Sequence, residues 1–165
     1  MMREITPFEI GNVMKLVGKD WLLITASDGE RVNTMTASWG LMGVLWHKNV
    51  CTVFLRPQRY TKQFVDKAER ISLSFFDEQY RDALKFCGTK SGRDYDKFAE
   101  TGLTLTETDG VPTIREAKLT VICRKLYADT IREEAFLEDS PLACYPQKDY
   151  HTFYVCEIEK VFVRE

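Results

Sequence analysis

Apolar and polar positions alternate over much of the first third of the chain, the period-two signature of β-strands with one face buried. Trp21 to Thr25 (WLLIT) and Arg31 to Trp39 flank Ser27-Asp28-Gly29-Glu30, a run of turn formers, so the pair predicts a hairpin. Asn49 to Leu55 (NVCTVFL) is β-branched and aromatic and stops before Pro57, which has no ladder donor to offer. From Arg59 the period changes. Tyr60, Phe64 and Ala68 recur at i, i+4 and i+8 beside Val65, which predicts a short amphipathic helix. Arg70 to Phe76 alternates again. Tyr80, Ala83, Leu84 and Cys87 then predict a second helix with Gly88 at its C-terminal cap, and Asp94 to Glu100 a third of about one turn, stopped by Gly102. Asp109-Gly110-Val111-Pro112 reads as a turn. Ala117 to Ile131 and His151 to Val163 are long strands, the second apolar on both faces, and Glu133 to Pro146 between them has no period and suits an insertion or lid.

Six or seven strands with two or three short helices, and no long helices between strands, exclude a parallel βαβ sheet and predict an antiparallel β-barrel with α insertions. At 165 residues the chain suits one domain over residues 1–165. A net charge of -2 argues against nucleic acid as a partner, because backbone binding needs a broad basic surface. No stretch nears the roughly 18 apolar residues of a membrane span, and the opening MMREITPFEIGN lacks the apolar run of a secretory signal. Five cysteines, none closer than twelve positions to the next, form no CxxC motif and no disulfide framework, so a reducing cytoplasm is expected.

The chemistry concentrates where acids are missing. Arg31 to Val65 contains no Asp or Glu, although the chain carries 25 of them. Within this run, Asn33 to Gly40 (NTMTASWG) places Asn33, Thr34, Thr36 and Ser38 around an exposed-looking Met35 and ends at Trp39. Three hydroxyls on one strand face suit the polar edge of a flat ligand, or simply a Thr-rich edge strand. Arg56, Arg59, Thr61 and Lys62 gather where the first helix begins, a natural anion site, or else a solvated helix face. Cys87 to Phe98 (CGTKSGRDYDKF) sets Thr89, Lys90, Ser91 and Arg93 around two glycines, an anion-binding or plain surface loop without Walker spacing. Only two histidines are present, His47 and His151, with no HExxH spacing, so no metal site is expected. There is no GxSxG elbow and no GxGxxG. Positive charge, neutral donors and an aromatic plane describe a pocket for a phosphorylated aromatic ligand.

In this order, NTMTASWG (Asn33 to Gly40), RPQRYT (Arg56 to Thr61), KSGRDYDKF (Lys90 to Phe98) and HTFYVCEIEKV (His151 to Val161) resemble the flavin reductase-like family, which includes flavoredoxins and NAD(P)H:flavin oxidoreductases. The resemblance implies a mainly β, antiparallel six- to seven-stranded split β-barrel of the FMN-binding type. It implies that the strand from Asn33 through Thr34, Met35, Thr36 and Ser38 to Trp39 lies along the isoalloxazine. Arg59, Tyr60 and Thr61, with Arg56 beside them, meet the ribityl phosphate. Lys90 and Ser91 approach the phosphate or the pyrimidine carbonyls, and Lys90 is the candidate to stabilise the reduced, anionic ring. His151 matches a histidine frequent at its place, whereas Cys156 stands where the family often has glycine. The implied function is electron transfer from NADH or NADPH to FMN and on to an acceptor. The alternative is a non-enzymatic FMN electron-transfer carrier serving a redox protein partner, and a pyridoxal-phosphate-type ligand is a third reading. A cytoplasmic homodimer is implied, with Trp46, Phe75, Phe76 and Phe153 as candidates for its apolar interface. Cys87, on the apolar side of its helix, is expected to be inert packing.

Overall fold

The turn after the first predicted strand closes through its own acid: the Asp28 carboxylate accepts from the amides of Glu30 and Arg31, and Gly29 takes a φ of 99°. This computed structural model describes residues 1–165. The hairpin joins β2 (Leu22–Ser27) to β3 (Val32–Ala37), preceded by β1 (Met2–Ile5) and a single helical turn α1 (Val13–Lys15) that widens into a π turn over Leu16–Asp20. β4 (Gly40–Leu45), β5 (Lys48–Leu55), α2 (Thr61–Lys67), β6 (Arg70–Phe75), α3 (Arg81–Thr89) and α4 (Lys97–Thr101) follow. The hairpin β7 (Leu105–Thr108) and β8 (Val111–Ile114) leads to the long strands β9 (Leu119–Thr130) and β10 (Thr152–Arg164).

Eight strands form one antiparallel sheet in the order β3-β2-β6-β9-β10-β5-β4, with β1 pairing the far end of β10. The protein is thus mainly β and antiparallel. β3 and β4 occupy opposite ends of that order, yet only Ser38 and Trp39 lie between them in the chain. Three Cα steps span at most roughly 10 Å, so the sheet must curl until its two ends nearly meet. The result is a barrel split by an unpaired seam between β3 and β4. Register shifts at Val155/Cys156 and Ile158/Lys160 help β10 to coil.

The curled sheet encloses one apolar core, including Ile24, Val53, Leu55, Leu73, Phe75 and Val121. A second cluster (Leu23, Phe76, Leu84, Cys87, Leu103 and Ile114) packs α3 and the β8 end against the outside. Phe75 and Phe76 are therefore core residues and not an interface, because β6 is a central strand covered on both faces.

The strand count exceeds the six or seven expected because β1 and β4 are short terminal strands without clear alternation, and Asp109–Gly110 makes a tight hairpin turn. Both turn residues have positive φ (53° and 74°), as a two-residue hairpin loop of this hand requires. Two helix boundaries also differ. α4 begins at Lys97, not Asp94, because the Asp96 carboxylate caps it by accepting from the amides of Phe98 and Ala99. Gly88 lies inside α3, which runs to Thr89; a Cβ there would sit 3.2 Å from Thr36 Cβ, so the glycine serves close packing on β3 and not capping. Gly102 does end α4, at φ 72°. No helix is long and apolar enough to cross a membrane.

Candidate functional site

Because β3 is an end strand, half of its main-chain groups have no ladder partner. The Thr34 carbonyl points away from β2 and accepts from Lys97 Nζ at 2.7 Å. By the alternation of an antiparallel strand, the main-chain groups of Thr36 point the same way, along the seam. A cavity of about 210 Å³ lies there, walled by Met35 to Trp39, by Phe54 on β5, by Arg56 and Arg59 beyond it, and by His151. It adjoins an apolar trough of about 420 Å³ that shares Ser38, Trp39 and Phe54 and adds Met14, Val17, Leu41, Ile131 and Tyr145. Trp39 stays 47% exposed between the two, so a planar ligand can reach its ring.

The charged walls have distinct duties. Arg59 donates from Nη1 to the Gly88 carbonyl at 2.9 Å and from Nη2 to the Cys87 carbonyl at 3.4 Å, so a cation caps the C-terminus of α3. Burial lowers its pKa, and the guanidinium's other donors remain for an anion in the cavity. Arg56 is already committed. It pairs with Asp149 at 2.8 Å, donates to the Cys144 carbonyl at 2.9 Å and lies over the Tyr145 ring at 4.9 Å. Gln58 adds a 2.7 Å bond to the same Asp149, so both residues clamp the 133–150 segment over the site.

Most of the predicted strand is present but used differently. Met35 is buried, contrary to its exposed appearance in sequence, because β3 is covered on both faces. The Thr34 hydroxyl is bonded to Thr25 and to the Ile24 carbonyl, and the Thr36 hydroxyl to the Leu84 carbonyl. Neither hydroxyl is free for a ligand, and the cavity meets the strand's backbone instead. Asn33 faces a second hollow of about 310 Å³ shared with Tyr60, Gly92 and Lys97, and its Nδ2 donates to Thr61 Oγ1 at 2.9 Å. Tyr60 packs edge-on against Phe64 and carries Arg93 over its ring at 4.7 Å. Lys90 is exposed, 5.8 Å from the Tyr95 ring, and Ser91 Oγ accepts the Arg93 amide; neither lines the cavity.

Sequence reasoning missed Phe54, Tyr145 and, above all, Lys97. Lys97 is 4% exposed and donates to the carbonyls of Thr34 and Cys87 at 2.7 and 2.8 Å, tying β3 to the end of α3. Burial pulls its pKa down to about 8, with the Arg59 charge adding to the effect and Cys87 opposing it. The signal was in the SGRDYDKF run, where a lysine one residue after an N-capping Asp reads as solvated until the packing is known. Cys87 is fully buried, and burial pushes its thiol up to about 11.

His151 sits against Trp39 at 5.2 Å and Phe54 at 6.3 Å between ring centroids, with Nδ1 2.6 Å from the Tyr145 hydroxyl. Burial lowers its pKa to about 4; the Arg56 charge pushes the same way and Asp149 opposes. The ring is therefore neutral at pH 7. The phenol has no other acceptor, so we assign its O–H to Nδ1, which leaves the proton on Nε2 as a donor. Since the folded pKa lies below the unfolded value of about 6.5, the unfolded chain takes up this proton first on acidification. Stability present above pH 6.5 should then drain between pH 6.5 and about 4, by about 2 kcal/mol from this residue. Urea unfolding at pH 7 and 4.5 should show a smaller difference in His151→Gln than in the parent; equal differences would refute the assignment.

A split antiparallel barrel, with a guanidinium, an unpaired strand edge and an open tryptophan at its seam, has the chemistry of a site for a planar aromatic ligand with an anionic tail. Residues 14–165 match the flavin reductase like domain, and the chain belongs to that family. Among solved structures it resembles flavoredoxin from Methanosarcina acetivorans at 20% identity and TM-score 0.69, over 88% of this chain and 69% of that one. It also resembles the FMN-binding protein from Thermus thermophilus with bound p-hydroxybenzaldehyde (25% identity, TM-score 0.66, 86% of this chain and 69% of that one). The styrene monooxygenase flavin reductase from Pseudomonas putida S12 matches at 16% identity and TM-score 0.66, over 88% and 80% of the two chains. No curated protein sequence matches this chain.

Proposed function

We propose that this protein binds FMN in the seam and moves electrons from a reduced nicotinamide, NADH or NADPH, through the flavin to an acceptor. The observation that carries this reading is the cavity bounded by the Arg59 guanidinium on one side and by the β3 edge and the aromatic trough on the other. These residues fit the group. Arg59 offers a charged fork to the phosphate. The unpaired main-chain edge at Thr36 faces the polar edge of the ring system, and Trp39 and Phe54 shield it from water. His151 presents its Nε2 proton to the ring or to an incoming ligand. Lys90, carried on the loop after α3, is the cation that the family resemblance brings to the reduced ring. Bound FMN supplies the redox chemistry, and no acid–base side chain has to be added.

The family membership and the similarity to an FMN-binding protein and a flavin reductase support this reading. On it, residues 1–165 act as one flavin reductase-like domain of a cytoplasmic homodimer. Leu41, Val44 and Trp46, 62%, 72% and 52% exposed along and beside the end strand β4, provide an apolar face for the second copy. The exposed Trp39 and this same apolar face also suit a flavoredoxin-like carrier that docks a redox protein.

The spectrum of the purified protein, followed by anaerobic addition of NADH and of NADPH, separates the two readings. A flavin spectrum bleached within turnover times by either nucleotide supports the reductase. Flavin that only a chemical or protein reductant bleaches makes the protein a carrier. Colourless protein that takes up no added FMN removes both.

A further inference from the structure

Four sulfur-bearing side chains gather on four neighbouring strands of the sheet. Met42 on β4 is the register partner of Cys51 on β5, and Cys51 is the partner of Cys156 on β10. Cys123 on β9 pairs with Ile158, beside Cys156, where β10 changes register. In a flat sheet β5 and β9 would stand on either side of β10, roughly 9.5 Å apart, and their side chains would not meet. The curl of the barrel changes that. The Sγ atoms of Cys51, Cys123 and Cys156 all lie within 4.8 Å of one another, the three residues are at most 1% exposed, and all are free thiols.

The composition of this cluster is selective. It offers thiols, with a thioether at its edge, and no histidine or carboxylate belongs to it. Thiolate and thioether favour soft ions such as monovalent copper over hard, oxygen-seeking ones. With metal–sulfur bonds of about 2.3 Å, as in thiolate zinc sites, the sulfurs of a three- or four-coordinate site stand roughly 3.8–4.0 Å apart. Closing from 4.8 Å or less to that spacing takes rotamer adjustment and no strand movement. Access runs along the sheet end, since β4 has no outer neighbour and Met42 is only half-buried.

We propose that Cys51, Cys123 and Cys156 form a binding site for a soft, thiophilic metal ion of the monovalent copper class, with Met42 at its mouth. Binding replaces thiol protons, which leave to solvent, and no change in oxidation state is involved. The cluster shares no lining residue with the cavity or the trough at the seam, so copper loading leaves the flavin spectrum unchanged.

The test uses the full chain, reduced and anaerobic, titrated with Cu(I) against a chromogenic Cu(I) chelator. Cys144 is the one exposed cysteine, so the reference protein is Cys144→Ser. It should withhold about one equivalent from the chelator and gain a thiolate-to-copper absorption band. Cys156→Ala and Cys123→Ala, checked for folding by circular dichroism, should each lose at least roughly tenfold in affinity. Folded Cys144→Ser protein that withholds no copper overturns the proposal, as does equal retention by Cys156→Ala or retention only in urea. If the alanine variants do not fold, X-ray absorption on the copper-loaded reference decides. Three sulfur neighbours support the site, and two or fewer, or nitrogen and oxygen neighbours, refute it.

Discussion

Arg59→Ala should weaken FMN binding by roughly 30- to 100-fold, while riboflavin, which lacks the phosphate, loses no more than roughly threefold. A charge-assisted hydrogen bond contributes about 1.5–3 kcal/mol, and about 2–2.7 kcal/mol corresponds to that FMN factor. Arg59 is the cavity cation best placed for this duty, because Arg56 is taken up by Asp149 and the Cys144 carbonyl. The comparison of the two flavins is needed because Arg59 also holds the Cys87 and Gly88 carbonyls. Losing those bonds loosens the end of α3 and affects both ligands alike. Fluorescence titrations with each flavin measure the difference directly. Equal losses would mean that Arg59 shapes the wall and does not hold the phosphate. Arg59→Lys should fall between the parent and the alanine variant, since it restores the charge without the fork.

Gly92→Ala should cost about 2–4 kcal/mol of stability and lower Tm by roughly 5–12 °C, although it adds one methyl group to a loop. A Cβ at residue 92 would lie 2.3 Å from Asn33 Oδ1, 2.8 Å from its Cγ and 2.9 Å from Nδ2. Asn33 has little freedom to yield, being buried and bonded to Thr61. Either the Asn33–Thr61 bond breaks or the loop lifts away with Lys90 and Ser91, so FMN affinity should fall together with stability. Removing the obstacle tests the cause. In Asn33→Ala/Gly92→Ala the collision is gone, and calorimetry should show the pair less destabilised than the sum of the single changes. A Gly92→Ala protein within about 0.5 kcal/mol of the parent would refute the steric argument.

Both predictions depend on facts that the sequence carries only in part. Arg59 stood out at a strand-to-helix junction in an acid-free run, and the structure places it on the cavity. Gly92 was visible as a glycine in a polar loop, but nothing local says that a residue 59 positions earlier presses against it. Thr34 and Thr36 show the opposite failure. Their alternation on one strand face was real, yet their hydroxyls are spent on Thr25, Ile24 and Leu84, and what the strand offers the cavity is its backbone edge.

Short-range chemistry alone carries the hairpin at Asp28–Gly29, the period change at Arg59, the stop at Gly102 and the order of motifs that marks the family. Those signals rest on side-chain alternation, helical spacing and local capping, each complete within a few residues. Long-range packing, by contrast, sets the curl that brings β3 and β4 face to face across a seam. That curl sets the unpaired β3 edge beside the cavity and draws three cysteines from three strands into one cluster, while the packing of α4 on β3 and α3 buries Lys97 against two carbonyls. Each of these needs residues far apart in the chain to share a few ångströms, and that proximity is a property of sheet curvature and helix packing and not of local pattern.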